Sequence, residues 1–201
     1  MKNFDLFIFD LGRVLIDFDF DIAIAKLNEW ALIDRAKVTA LFMNSKLAKE
    51  WDKGLLDADA FYKIIKQELQ LPLEMEKFIP IWNDIFTPKE EMIEFALNLA
   101  KERKTYIVSN TNPWHFQYLR KKYVWLQEFE EIIASCDVKM LKPDHEIFRF
   151  TLRRAGGIAP ERTLYIDDVE ENILSAKNLG IHSIHFKSHP LLLEALKLKS
   201  F

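Results

Sequence analysis

Residues 4–17 read FDLFIFDLGRVLID, an apolar run that stops at a carboxylate and continues into a turn containing glycine. The run Phe4–Phe9 has the length and the aromatic and branched composition of a buried β-strand. Asp10 follows it directly, and a carboxylate at the tip of a hydrophobic strand is costly to bury unless it is paired or bound to a metal. This stretch therefore predicts a buried strand that carries a charged residue to the carboxyl end of a sheet.

Four more strand-like runs follow along the chain, at Thr105–Val108, Glu131–Ala134, Thr163–Ile166 and His182–Phe186. Helical patterns alternate with these runs, over Lys89–Glu102, Trp114–Lys122, Glu146–Ala155, Glu171–Leu179 and Leu191–Leu198. Alternating strands and helices predict right-handed βαβ crossovers. We therefore expect an α/β fold with a Rossmann-like parallel sheet flanked by helices.

The segment from about Asp19 to Phe86 interrupts this alternation, because it has helical periodicity and no convincing strand. Four helices fit it, at Phe20–Trp30, Arg35–Ser45, Ala58–Glu68 and Leu73–Ile85. A chain of 201 residues has room for one buried core and one modest accessory domain. We predict an inserted α-helical cap over residues 18–87 and an α/β core made of residues 1–17 and 88–201.

Composition and charge exclude several classes of protein. The net charge is −3, the sequence pI is about 6.0 and the basic residues are dispersed, so a nucleic-acid partner is not expected. The single cysteine, Cys136, cannot form an internal disulfide, which fits a reducing compartment. The chain start lacks the features of a signal peptide, and no run approaches the roughly 20 apolar residues of a membrane span. We expect a cytoplasmic monomer or weak homodimer with no membrane partner.

Polar residues that follow the predicted strands are candidates for the site, because ligands of open parallel sheets bind beyond the carboxyl ends of the strands. They are, in chain order, Asp10, Ser109, Asn110, Lys142, Asp167 and Asp168. Carboxylates at neighbouring tips repel one another unless a hard cation lies between them, and Mg²⁺ prefers such oxygen ligands. Lys142 offers a fixed positive charge and Ser109 a hydrogen-bond donor, which together suit a phosphate dianion. The pattern predicts a phosphate-binding site with Mg²⁺ as cofactor.

The same segments resemble, in order, the four motifs of the haloacid dehalogenase-like (HAD) hydrolase superfamily. The matching stretches are Phe7–Asp17, Val108–Asn112, Lys142–Asp144, and Tyr165–Asp168 with Asn172, Ala176 and Leu179–Gly180. The predicted helical insertion stands where the first-type (C1) cap of that superfamily belongs. The resemblance covers nearly the whole chain and implies an Mg²⁺-dependent phosphatase that acts on a small phosphorylated metabolite.

The resemblance also implies roles for the residues that bind the phosphoryl group. Asp10 would attack phosphorus and form an aspartyl-phosphate, which water then hydrolyses. The side chains of Ser109 and Lys142 would hold the phosphoryl oxygens, together with the backbone amides near Leu11, Gly12 and Asn110.

A metal-binding set is implied in the same way. Asp10, Asp168 and the carbonyl oxygen of Gly12 would coordinate Mg²⁺ directly. Asp167 would act through a water molecule or from outside the coordination sphere.

Gly12 departs from the pattern of most phosphatases of the superfamily, which have a second aspartate at this position to protonate the leaving group. General acid–base catalysis is typically worth about 10²- to 10⁴-fold in rate. Either the substrate has an easy leaving group, such as an anomeric sugar phosphate or an acyl phosphate, or another residue supplies the proton, or the protein binds a ligand without catalysis. The segments Asp10–Val14, Ser109–Asn112 and Asp52–Asp57 resemble those of the bacterial α-D-glucose-1-phosphate phosphatases, which also have glycine here. This resemblance favours the first interpretation and a sugar phosphate.

A haloacid dehalogenase also lacks the second aspartate, and it is a further alternative. Dehalogenation needs no metal, however, whereas the pair Asp167 and Asp168 favours a metal site.

Other acids near the cap are candidates for a replacement proton donor. Asp17 and Asp19 lie where the chain passes into the cap, and we predict that they cap the first cap helix. Asp52 either reaches a substrate hydroxyl or is a solvated turn residue. Arg13 either contacts the phosphate or forms a surface ion pair.

Overall fold

The computed structural model describes residues 4–43 and 45–198. Residues 1–3 and 199–201, which belong to the predicted core, and residue 44, in the second predicted cap helix, lie outside the described residues. The strands are β1 (Leu6–Phe9), β2 (Ile16–Phe18), β3 (Phe86–Pro88), β4 (Lys104–Ser109), β5 (Glu131–Ala134), β6 (Thr163–Asp167) and β7 (His182–His185). Five of them form a parallel sheet in the order β5-β4-β1-β6-β7. The predicted parallel sheet is confirmed.

Helices fall into two groups along the chain. Between β2 and β3 lie α1 (Phe20–Leu27), α2 (Arg35–Phe42), α3 (Lys46–Asp52), α4 (Ala58–Glu68) and α5 (Met75–Asn83). After β3 follow α6 (Glu90–Ala100), α7 (Pro113–Lys122), α8 (Ser135–Val138), α9 (His145–Arg154), α10 (Glu170–Asn178) and α11 (His189–Leu198). Short 3-10 turns cover Val124–Glu128 and Pro160–Arg162. Among the described residues, no helix is long and apolar enough to cross a membrane.

β1 is buried on both faces of the sheet. Phe7 and Phe9 belong to an apolar cluster shared with residues of α6, α7 and α11. Leu6 and Ile8 point the other way, into a cluster shared with α9 and α10. A strand covered on both faces has a continuous hydrophobic sequence, which is why this strand was evident from its residues alone.

The helices between β2 and β3 have an apolar cluster of their own, centred on aromatic side chains such as Trp51, Phe61, Phe78 and Trp82. We predicted four helices there, and the described residues of this segment form five. The second predicted helix, Arg35–Ser45, ends at Phe42, because Ser45 starts the unpredicted helix α3. Its hydroxyl oxygen accepts a hydrogen bond from the Ala48 backbone N–H at 2.9 Å, the typical interaction of an N-cap.

β2 and β3 form a separate antiparallel pair that the sequence did not predict, with Phe18 opposite Phe86. Each strand has three residues, which is too short for a periodic pattern. Each strand also pairs with one that is distant in the sequence. The predicted domain division, at residues 17/18 and 87/88, falls within these strands and stays a prediction.

Candidate active site

The central position of β1 brings the predicted strand-end residues together. Its neighbours β4 and β6 run parallel to it in register, with Phe9 beside Ile107 and Ile166. Asp10 follows β1, while Ser109 and Asp167 are the last residues of β4 and β6. All three side chains are buried at the same end of the sheet.

Lys142 joins these strand ends through its ammonium group. Nζ donates to Asp10 Oδ1 at 2.7 Å, to Asp167 Oδ2 at 2.8 Å and to the Val108 carbonyl oxygen at 2.8 Å. The Lys142 side chain is 1% exposed, so all three of its donors are satisfied inside the protein. Burial alone lowers the pKa of Lys142, but the carboxylates beside it outweigh that effect and keep its pKa above the ordinary value. Lys142 is therefore a permanent buried cation.

The side chain of Asn110 positions the backbone of Lys142. Its Nδ2 donates to the Lys142 carbonyl oxygen at 2.8 Å, and its Oδ1 accepts from the Lys142 N–H at 2.8 Å. From the sequence we predicted a role only for the backbone of Asn110. No sequence signal indicates this paired interaction, because it joins two loops that are distant in the chain.

Asp167 is fully buried and accepts several hydrogen bonds besides that from Lys142. Donors are the Tyr165 hydroxyl, the Val169 N–H at 2.7 Å and Asn172 Nδ2 at 3.1 Å. Burial raises the pKa of Asp167, but Lys142 and these donors outweigh it, so its pKa lies below the ordinary value. A carboxylate so fully engaged is suited to orienting Lys142.

Asp10, Asp167 and Asp168 can place one carboxylate oxygen each within 4.8 Å of one another. Burial, opposed by Lys142, raises the pKa of Asp10 to about 7, and burial together with Asp167 raises the pKa of Asp168. Burial is the larger cause of both shifts, and the neighbouring carboxylate of Asp167 adds to it. A hard divalent cation with a preference for carboxylate oxygens, such as Mg²⁺, fits this donor set.

The position of Gly12 is sterically restricted by Phe18. A Cβ atom placed on Gly12 would lie 3.2 Å from Cε1 of the Phe18 ring. The guanidinium carbon of Arg13 lies 4.3 Å from the centroid of the same ring, and its Nη1 lies 3.8 Å from Oδ1 of Asp17. Arg13 therefore corresponds to the ion-pair interpretation. The Phe18 ring lies beside Gly12, where the side chain of an acid at this position would need space.

We expect Gly12→Asp to destabilise the protein by about 1–3 kcal/mol, the usual cost of overpacking. The double variant Gly12→Asp/Phe18→Ala should cost less than the sum of its two single changes, because removing the ring creates the missing space. Urea unfolding of the four proteins of this cycle measures the coupling. Additive costs would show that Phe18 does not restrict position 12.

The other candidate acids lie in different environments. Asp19 accepts a hydrogen bond from the Asp21 N–H at 2.9 Å and caps α1, as predicted. Asp17 does not cap that helix. It lies on β2, with Oδ2 3.0 Å from Nζ of Lys89.

A cavity of about 180 Å³ is formed by residues of the cap helices and of the strand ends. Four of the five residues predicted to bind phosphate, Leu11, Gly12, Ser109 and Asn110, line part of it, whereas Lys142 is not in its lining. Asp52 lines it from α3, so the interpretation of Asp52 as a solvated turn residue is wrong. Much of the remaining wall is aromatic: Phe18, Phe20, Phe42, Trp51, Trp82 and Phe86.

Comparisons with known proteins find similarities in both sequence and structure. A family model described as haloacid dehalogenase-like hydrolase matches residues 4–180. A D-ribitol-5-phosphate phosphatase from Bacteroides thetaiotaomicron is 28% identical over 184 residues, which cover 88% of each chain. The sesquiterpene phosphatase astK from Aspergillus oryzae is 24% identical over 188 residues, covering 91% of this chain and 90% of the relative. The structure of a HAD family enzyme from Bacteroides thetaiotaomicron, in complex with magnesium and inorganic phosphate, superimposes with a TM-score of 0.81. It is 26% identical and covers 92% of this chain and 96% of that one.

Proposed function

This chain belongs to the haloacid dehalogenase-like hydrolase family, and on that basis we propose that it is an Mg²⁺-dependent phosphatase acting through an aspartyl-phosphate intermediate. The observation that carries the proposal is the buried ammonium group of Lys142, which contacts both Asp10 and Asp167 at the strand ends. A cation fixed beside a strand-end carboxylate suits a reaction that brings a phosphate dianion to that carboxylate.

Asp10 is the nucleophile in this proposal. Its Oδ1 accepts hydrogen bonds from the Leu11 N–H at 2.7 Å and from Lys142 at 2.7 Å. These two bonds fix the carboxylate, so that Oδ2 is the oxygen that attacks phosphorus. Ser109 and the backbone amides of residues 12 and 110 hold the phosphoryl oxygens, and the fixed positive charge of Lys142 stabilises the charge that develops on them. The Leu11 N–H, which we predicted to join them, donates to Asp10 instead.

Asp10 and Asp168 would hold Mg²⁺ together with the carbonyl oxygen of Gly12. When bound, the ion neutralises phosphoryl charge and polarises a phosphoryl oxygen. Asp167 acts from outside the coordination sphere, where it keeps Lys142 oriented.

A sugar or polyol phosphate is our preferred substrate class. The relative named D-ribitol-5-phosphate phosphatase supports it, and so does the resemblance of the Gly12 motif to the glucose-1-phosphate phosphatases. The aromatic wall of the cavity favours a second candidate, the phosphate ester of a largely apolar alcohol, and the relative named sesquiterpene phosphatase is consistent with it. The dehalogenase alternative is less well supported, because dehalogenation needs no metal and the clustered carboxylates favour a metal site.

We expect phosphate release that requires Mg²⁺, tested with a panel of sugar, polyol, aryl and prenyl phosphates. Removal of the metal with EDTA should slow the reaction by about 10²-fold or more, because metal ions supply several kcal/mol of charge stabilisation. Re-addition of Mg²⁺ should restore the rate. Absence of release above the level of Asp10→Asn, from every substrate, would refute the enzymatic proposal; tight metal-dependent binding without turnover would indicate a binding protein instead.

A further inference from the structure

We infer that the carboxyl group of Asp52, on the cap, protonates the oxygen of the departing alcohol and so replaces the acid that position 12 lacks. The inference rests on the proposed phosphatase function, since it concerns one proton transfer within that reaction. Three observations support it, namely the location of Asp52 in the cavity, its attachment to the core, and the properties of the groups around it.

Asp52 is the last residue of α3 and lines the same cavity as Gly12 and Ser109. Among the described residues that line this cavity, it is the one carboxylic acid. Gly12 provides no acid, and the Phe18 ring crowds the space beside it, so in this proposal the proton comes from another element. The cap helix α3 provides such an element.

The backbone of Asp52 is tied to the core near the site. Its carbonyl oxygen accepts a hydrogen bond from Ser135 Oγ at 2.6 Å, and Ser135 Oγ in turn accepts from the Thr111 N–H at 2.9 Å. Two residues further on, Gly54 lies so close to the core that a Cβ atom there would overlap the Cys136 carbonyl oxygen. These contacts hold Asp52 in a fixed position relative to the loop after β4.

The surroundings of Asp52 favour a carboxyl group that is partly protonated at neutral pH. Burial raises the pKa of Asp52 to about 7, and a hydrogen bond with Asn112 opposes this only in part. Burial lowers the pKa of His115 to about 4, so this neighbour is neutral and is not an acid. Burial also raises the pKa of the Cys136 thiol to about 12. Nζ of Lys53 lies 3.8 Å from Oδ2 of Asp144, a residue of the core. A general acid works best when its pKa is near the working pH.

The proton transfers balance over the two steps of the reaction. In the first step Asp10 Oδ2 forms a bond to phosphorus, and the ester P–O bond breaks with its electron pair going to the alcohol oxygen. Asp52 gives that oxygen its proton, so a neutral alcohol leaves and Asp52 becomes a carboxylate. In the second step water attacks phosphorus and passes a proton to Asp52, while the bond between phosphorus and Asp10 breaks and returns its electrons to the Asp10 carboxylate.

The test compares wild type, Asp52→Asn and the control Asp59→Asn, an exposed acid of the same cap. Single-turnover rates with Mg²⁺ are measured for aryl phosphates of graded leaving-group pKa and for a simple alkyl phosphate. We expect Asp52→Asn to match wild type on the most acidic leaving groups and to be about 10²-fold slower on the most basic ones. Wild type and Asp59→Asn should show a shallow dependence on leaving-group pKa.

Equal dependence on leaving-group pKa in wild type and Asp52→Asn would overturn the inference. So would an equal loss by Asp52→Asn on every substrate, because that pattern indicates a structural role. If Asp52→Asn unfolds, Asp52→Glu provides the test, since a retained acid must preserve the shallow dependence. If wild type releases phosphate from none of these substrates, both the inference and the proposed function are refuted. The other outcomes concern Asp52 alone and do not contradict the proposed function.

Discussion

Replacing Asp10 by asparagine is expected to lower phosphate release by on the order of 10⁴- to 10⁶-fold, the range found when a nucleophile is removed. The amide is a poor nucleophile and cannot form the aspartyl-phosphate. Its oxygen can still accept the hydrogen bonds that Leu11 and Lys142 donate to Oδ1, so the local structure should persist. The measurement is single-turnover phosphate release with Mg²⁺, accompanied by acid-quench trapping of the phosphoprotein.

Asp5→Asn is the matched control, because Asp5 lies just before the other end of β1. Its carboxylate forms an exposed ion pair with Arg162 at 2.6 Å, and exposed pairs contribute little to stability. The control should retain wild-type activity and the trapped phosphoprotein. If Asp10→Asn folds but keeps more than about a tenth of the activity, a loss of only about 1.4 kcal/mol of barrier, Asp10 is not the nucleophile.

The sheet could be predicted from the sequence largely because its inner strands β1, β4 and β6 are buried over most of their length and therefore have long apolar runs. Its order could not, since the position of β1 between β4 and β6 depends on pairing over long distances. The general rule for parallel sheets was enough to place Asp10, Ser109 and Asp167 at one end. The roles assigned to them remain predictions.

Features that depend on contacts between distant segments could not be predicted. The β2 and β3 pair and the two hydrogen bonds between Asn110 and Lys142 each join distant parts of the chain without a local pattern. The partial burial of Asp52 is of the same kind, since it follows from the packing of α3 against the start of α8 at Ser135. These contacts refine the site, whereas the strand-end residues determine where it lies.

Lys142→Met is expected to destabilise the protein by about 3–5 kcal/mol, the cost of leaving buried charges without their partner. Methionine is similar in length to lysine but has no charge, so Asp10 and Asp167 would repel each other without compensation. Urea unfolding without added metal gives the change in free energy. The control Lys177→Met, at an exposed helical position, should change stability by less than about 0.5 kcal/mol.

The double variant Lys142→Met/Asp167→Asn separates loss of charge balance from loss of packing. If unpaired charge causes the loss of stability, neutralising Asp167 should restore part of the free energy of unfolding. The double variant should then be more stable than Lys142→Met alone. Phosphate release should stay low in both variants, because the cation that contacts Asp10 is missing from each. Lys142→Met with wild-type stability would show that Lys142 does not offset the buried carboxylates, and wild-type activity in either variant would remove it from the phosphate site.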